Sequence, residues 1–316
     1  MARKFLLYFT TDIHGSELCF RKFLNAGKFY GAQVILLGGD VTGKMIVPLV
    51  KDREGVIRCT YLGQSFTMHD PEEVKRVTTM ITTCGHYPYV IEEEEYALLD
   101  SREKLDEKFR AVLKESLAGW AQLAEERLKG TGVRCLITPG NDDMPEVDQV
   151  LSRCPAIENP EGKVLDIDGT HELIATGYSN PTPWNTDREL PEDALERKID
   201  DLFQKVKDPS LTVASLHAPP YATALDSAPE LKDFKVQTAG GQPIFVSVGS
   251  TAVRKMLEKY QPQVGLHGHI HESRGIARVG KTVCLNPGSE YTEGILNGAI
   301  IAFEKERLVT YQLVSG

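Results

Sequence analysis

Six short apolar runs, each closed by a polar or glycine-bearing turn, limit what this chain can become. They are "KFLLYFT" at residues 4–10, "QVILLGG" at 33–39, "VRCLITP" at 133–139, "HELIATG" at 171–177, "LTVASLH" at 211–217 and "PQVGLHG" at 262–268. Runs this short and this rich in β-branched residues predict buried strands. Helical patterns lie between several of them, at 16–28, 145–152, 193–206 and 250–260. Strands alternating with helices predict a layered α/β domain. The last third is different: "KTVCLN", "GAIIAFE" and "RLVTYQL" read as strands with no helix between them, hence a second sheet or a mixed one.

At 316 residues the chain can bury a substantial core, and no internal repeat divides it. It reads as a single domain over 1–316 with an insertion at about 44–132. Within the insertion, residues 51–69 read as a hairpin and 71–83 as a helix. A long helix runs from about Asp100 to Lys129, with Leu105, Phe109, Val112, Leu113, Leu117, Trp120, Leu123 and Leu128 at three- and four-residue steps. Asp100 with Glu103 resembles a capping box, and "GTG" at 130–132 ends the helix. The run Glu92 to Glu95 reads as a solvated helix start.

Composition narrows the partners. The formal charge is −9 with no block of Lys or Arg, which argues against a nucleic acid held through its phosphates. The basic and apolar start "MARKFLLYFTTD" is too short for a signal peptide, and no stretch approaches a membrane span. Six scattered cysteines without a CxxC pair read as reduced thiols of a cytoplasmic protein.

The polar residues with chemistry to offer fall just past the carboxyl ends of the apolar runs, where open α/β sheets form their binding crevice. Asp12 and His14 follow the first run, Asp40 the second, and Asn141, Asp142 and Asp143 the third. His217 ends the "LTVASL" run, while His269 and His271 follow "PQVGL". Carboxylates, imidazoles and an amide converging on one edge make an N/O set suited to divalent transition metals. Any one of these pieces occurs by chance in many chains. Their joint order and placement carry the reading.

That order, "DIH", "GGD", "GNDD", "LH" and "GHIH", resembles the calcineurin-like metallophosphoesterase superfamily across residues 12–271, and "NPGS" at 286–289 is similar as well. The flanks "GGDVTGK" and "SNPTPWNT" resemble the predicted phosphoesterases related to bacterial cyclic-nucleotide phosphodiesterases. The resemblance implies a four-layer αββα sandwich of two mixed sheets flanked by helices, with two divalent metal ions (Mn, Fe or Zn) at the strand ends. It assigns Asp12, His14 and His271 to one ion, Asn141, His217 and His269 to the other, and Asp40 to the bridge. His267 falls outside the motif and reads as structural or as a support for a ligand.

The implied activity is hydrolysis of a small soluble phosphate ester by a hydroxide bridging two ions. One residue departs from the pattern. Where the family usually has His after Gly-Asn, this chain has Asp142, an acid only if burial or like charge raises its pKa. Relatives lacking that His tend toward diesters, so a phosphodiesterase is expected. A phosphomonoesterase and a metal-binding scaffold without catalysis are the alternatives. Around the site, Asn180 and Trp184 are candidate substrate contacts, with Trp184 placed to stack on a planar group. Tyr221 in "HAPPY" is a candidate for phosphate contact, and "NPGS" reads as a tight turn beside the site.

Overall fold

The computed structural model describes residues 4–316. All six apolar runs form strands, and they divide evenly between two six-stranded sheets. The first sheet runs Arg307–Ser315, Asn297–Glu304, Phe5–Thr10, Val34–Gly38, Arg134–Thr138, Ile157–Glu158. The second runs Gly275–Val279, Thr282–Asn286, Val264–Leu266, Thr212–Leu216, Glu172–Thr176, Val164–Asp166. The central strands are parallel and antiparallel strands close both rims of the second sheet and one of the first, whose other rim, Ile157–Glu158, is parallel, so both sheets are mixed. The helix-free tail is shared out: Thr282–Asn286 joins the second sheet, whereas Asn297–Glu304 and Arg307–Ser315 extend the first.

Alternation along each strand builds the layers. Leu7, Phe9, Val34 and Leu36 of the first sheet meet Leu173, Val213, Val264 and Leu266 of the second in a core between the sheets. Tyr8, Ile35 and Leu37 point the other way, onto helices Glu17–Tyr30 and Arg102–Leu128. There the Phe20 and Trp120 rings stack with centroids 4.1 Å apart. Across the molecule, Ile174, Ala214 and Leu216 pack on helices Glu192–Phe203 and Thr251–Tyr260. The result is the expected αββα sandwich. Burying a Leu or Phe side chain contributes roughly 1.5–3 kcal/mol, so strands covered on both faces give the strand ends a rigid base.

The stretch between the second and third strands of the first sheet holds more structure than the sequence suggested. The hairpin of Ile57–Tyr61 and Gln64–Met68 is present, as is helix Pro71–Thr83. Two further strands, Ile46–Lys51 and Tyr87–Glu92, pair in parallel and complete a four-stranded sheet. Val47, Leu49, Cys59, Val77 and Ile81 form its own small core. The capping box on the long helix is corrected. Ser101 is the N-cap, accepting from Lys104 N at 3.4 Å, while Asp100 pairs with the Lys104 ammonium. The acidic run is exposed at the start of helix Glu93–Tyr96, as read. An arm over residues 227–247 was not anticipated. It is a series of short ladders beginning with Ser227–Pro229 against Phe245–Ser247. None of the six cysteines forms a disulfide. Among the described residues, no helix is long and apolar enough to cross a membrane.

Candidate metal centre

The strand register delivers the donor side chains to one place. Thr10 lies beside Leu37, and Gly38 beside Thr138, so Asp12, Asp40 and Asn141 leave adjacent strand ends of the first sheet. His217 and His269 leave the paired ends of Thr212–Leu216 and Val264–Leu266 in the second. Asp12, His14 and His271 form one cluster, and Asp40, His217 and His269 another. Within each, the candidate ligand atoms lie within 4.8 Å of one another. His14 and Asp40 also gather with Asp142. The Nε2 atoms of His14 and His271 are 3.0 Å apart, and His217 Nε2 stands 3.5 Å from Asp40 Oδ1 and 3.8 Å from Asp12 Oδ1. Asp40 therefore faces both groups.

Local backbone explains how the turns are this tight. Asp12, His14, Asp40 and His269 all adopt left-handed conformations, with φ of 54°, 40°, 47° and 68°. Each costs on the order of 1 kcal/mol for a residue with a Cβ. Four such residues at one site mark a geometry imposed by the surroundings. Gly39, at φ 132°, is required between Gly38 and Asp40, because a Cβ there would overlap the His217 ring. Asp143 is the hub. Its carboxylate accepts from Val41 N, Thr42 N, Thr42 Oγ1 and Gly140 N at 2.6–2.9 Å, tying the Asp40 loop to the Asn141 loop. Arg188 Nε donates to the Asp143 carbonyl at 2.9 Å.

The charges interlock. Burial opposes ionisation of Asp12, yet His217 and His271 outweigh it and hold the carboxyl at about 2. Asp40 is likewise held well below the carboxylate range against burial, chiefly by His217. Burial lowers His217, but Asp40 and Asp12 prevail and lift it to about 9. Burial takes His14 to about 3 and, with His217 nearby, His269 to about 4, so both are neutral donors. Burial and Asp40 push Asp142 up to about 6, with Lys44 opposing.

The donor set fits divalent ions. The Thr186 hydroxyl donates to Glu189, so it accepts from Asn141 Nδ2 at 2.9 Å, which fixes the amide. Asn141 Oδ1 is thereby left buried without a partner, a free neutral ligand oxygen. His217 Nδ1 faces the Gly38 carbonyl at 3.1 Å, leaving Nε2 toward the carboxylates without a hydrogen-bond partner. Such second partners are how metal-binding imidazoles are usually oriented.

The remaining sequence candidates divide. Asn180, Trp184 and Tyr221 line a cleft of about 520 Å³ that reaches His269, with Trp184 62% exposed. Asn180 Nδ2 donates to the Val248 carbonyl, and its Oδ1 is unpartnered. His267 lies outside the centre, its Nδ1 2.8 Å from the Leu216 carbonyl. "NPGS" is the tight turn expected: Gly288 has φ 67°, and Ser289 Oγ donates to the Asp12 carbonyl at 2.6 Å. Sequence reasoning missed Lys44, whose ammonium contacts Asp142, and Tyr291, whose ring lies 4.9 Å from that of His14. Lys44 stood in "GGDVTGK" and Tyr291 just past "NPGS", so position beside a motif was the available signal. A groove of about 680 Å³ between Arg102–Leu128 and Tyr87–Glu92 is larger than the cleft but touches none of the donors.

Comparison with known proteins agrees with this architecture. No family model matches the chain. The uncharacterized protein MJ1162 of Methanocaldococcus jannaschii is 33% identical over 154 residues, which is 48% of this chain and 62% of that protein. The match thus spans less than two thirds of the relative. One solved crystal structure is similar over 99% of both chains, with a TM-score of 0.59 and 18% identity. TT1561 of Thermus thermophilus is similar over 100% of this chain and 99% of its own, with a TM-score of 0.52 and 13% identity. Likeness at these identities is likeness of fold, and it runs end to end. The four-layer sandwich, with its donors gathered at the strand ends, is the architecture that the motif order implied.

Proposed function

We propose that this protein is a two-metal phosphoesterase that hydrolyses a small phosphodiester. The observation that carries the reading is the convergence of two donor groups on Asp40, with Asn141 Oδ1 and His217 Nε2 buried and unpartnered at the same strand ends. Asp12, His14 and His271 would hold one ion, Asn141, His217 and His269 the other, and Asp40 both. When bound, a pair of divalent ions supplies Lewis acidity at the phosphoryl oxygens and activation of the nucleophile. Mn²⁺, Fe and Zn²⁺ all suit this set.

The chain's own residues keep that centre in place. Asp143 locks the Asp40 and Asn141 loops together, and the Gly38 carbonyl orients His217. His269 N–H donates to both Asp12 carboxylate oxygens at 3.1 Å, which fixes that carboxylate across the gap between the sheets. The cleft beside His269 offers room for the alcohol group of an ester, with Asn180 and Trp184 on its wall. A diester is favoured because Asp142 takes the place of the histidine that resembling enzymes present to the leaving oxygen.

The test is hydrolysis of bis(p-nitrophenyl) phosphate and p-nitrophenyl phosphate by purified protein supplied with Mn²⁺, Zn²⁺ or Fe²⁺. Diester turnover that needs metal, stops with chelator and is lost in Asp40→Asn is the expected result. Tight metal binding with no hydrolysis of either ester would instead favour a scaffold.

A further inference from the structure

Lys44 sits on a loop held more firmly than an exposed lysine requires. Val41 N and Thr42 N donate to Asp143, and Gly43 N donates to Tyr87 Oη at 2.7 Å. Gly43 itself is wedged so closely against the Gly85 carbonyl that a Cβ would overlap it. The loop that delivers Asp40 therefore delivers the Lys44 backbone just as rigidly. From there the ammonium reaches back to Asp142 Oδ2, and Asp142 N donates to Asp40 Oδ1 at 3.0 Å. Among the described residues, Lys44 is the one lysine or arginine ion-paired with this cluster. Its side chain is 59% exposed, so the ammonium is open to solvent, while the Asp142 side chain it contacts is 12% exposed.

We propose that Lys44, seated on Asp142, is the cation that receives the substrate's phosphoryl group beside the metal ligands, with Asp142 as its positioning residue. Asp142 Oδ2 lies 3.9 Å from His14 Nδ1. A bare carboxylate there would repel an anionic ester, and the ammonium cancels that charge. An ammonium has three N–H donors, and one carboxylate contact leaves others free for phosphoryl oxygen. The inference rests on the phosphoesterase reading for its substrate, but not for its test.

That test is calorimetric binding of inorganic phosphate to the Mn²⁺-loaded full chain, alongside diester kinetics. Lys44→Met should leave Mn²⁺ affinity within about twofold and weaken phosphate binding roughly tenfold, the scale of one charge-assisted hydrogen bond. KM for the diester should rise more than kcat falls, and Lys44→Arg should restore most of both. Asp142→Asn should also weaken phosphate, with the double variant no worse than Lys44→Met. The proposal is overturned if the wild type binds no phosphate, if Lys44→Met binds it as the wild type does, or if Asp142→Asn binds it more tightly. A wild type that hydrolyses no ester, yet binds phosphate through Lys44, would overturn the enzymatic reading and leave this one standing.

Discussion

The two sheet edges that meet at the centre are built differently. The first sheet contributes Asp12, His14, Asp40 and Asn141, three of them with left-handed backbone, all at most 2% exposed, with the Asp40 and Asn141 loops pinned by the Asp143 hub. The second sheet contributes only imidazoles: His217, buried against the Gly38 carbonyl, His269 on the cleft, and His271, whose side chain is 34% exposed. One edge carries the negative charge and the rigidity. The other carries imidazoles alone, of which His217 is lifted to about 9 by the carboxylates of the first. Ligand geometry is thus fixed by the first edge, and access is set by the second.

The largest effects should follow that division. Asp40→Asn should lower diester turnover by about a thousandfold or more and halve the metal stoichiometry, since Asp40 lies against both donor groups, 3.6 Å from His14 Nε2 and 3.5 Å from His217 Nε2. His271→Ala, at the exposed rim, should cost about tenfold to a hundredfold, because water can take the vacated position. Equal losses in the two variants, measured by steady-state kinetics and metal analysis, would erase the distinction between the edges.

Stability separates the edges next. Asp143→Ala strands Val41 N, Thr42 N and Gly140 N, all buried, and should lower unfolding stability by about 3 kcal/mol in denaturant titration. Asn286→Ala is the counterpart in the second sheet. Asn286 donates to the Ile270 carbonyl at 2.9 Å and accepts from Gly288 N at 2.8 Å, so about 1–2 kcal/mol is expected. The reverse order would place the rigid frame on the second edge.

The centre was legible in sequence because buried parallel strands announce themselves as unbroken apolar runs, and their chemistry falls at fixed offsets past the carboxyl ends. Every donor from Asp12 to His271 lies within five residues of such a run. What was not legible lacked that contrast. Ile46–Lys51 carries Pro48, which argues against a strand. In the structure the hairpin pairs only with Val50 and Lys51, so Pro48 lies on the half of the strand with a neighbour on one side alone. The arm at 227–247 is made of two- and three-residue ladders with mostly exposed side chains, too short for a period to appear, and only Gly240–Gly241 marks one of its turns. Asp143 adds its like charge to the burial and to Asp40 in raising Asp142, but nothing in "GNDD" marked its other task, turning inward to bond the two loops.

Protons sharpen the comparison further. In the metal-free protein the first-edge carboxylate of Asp12 is held at about 2, whereas His217 of the second edge is held at about 9 by those carboxylates. An imidazole must be neutral to ligate. Below about pH 9 metal uptake therefore has to displace the His217 proton, and apparent affinity should rise with pH by up to tenfold per unit, levelling off above about 9. Asp12 also raises His271 against burial, so calorimetry of Mn²⁺ binding at pH 7 in buffers of different ionisation enthalpy should show proton release that drops by about one in His217→Asn. Release unchanged in His217→Asn would move this titration to another residue.

The smallest effect belongs to the cleft wall on the second-sheet side. Trp184 is 62% exposed, and its backbone N–H donates to Thr182 Oγ1, so Trp184→Ala removes little packing and should change stability by no more than about 0.5 kcal/mol. If the ring stacks on the alcohol group of the ester, KM should rise several-fold for a diester with an aromatic alcohol and hardly at all for a dimethyl ester, with kcat unchanged for both. Thr182 and Thr186 both bond Glu189, so the loop around Trp184 is fixed without the indole. A fall in kcat for both substrates would show that the ring acts through the neighbouring Asn141–Thr186 contact, extending the rigid frame of the first edge into the second.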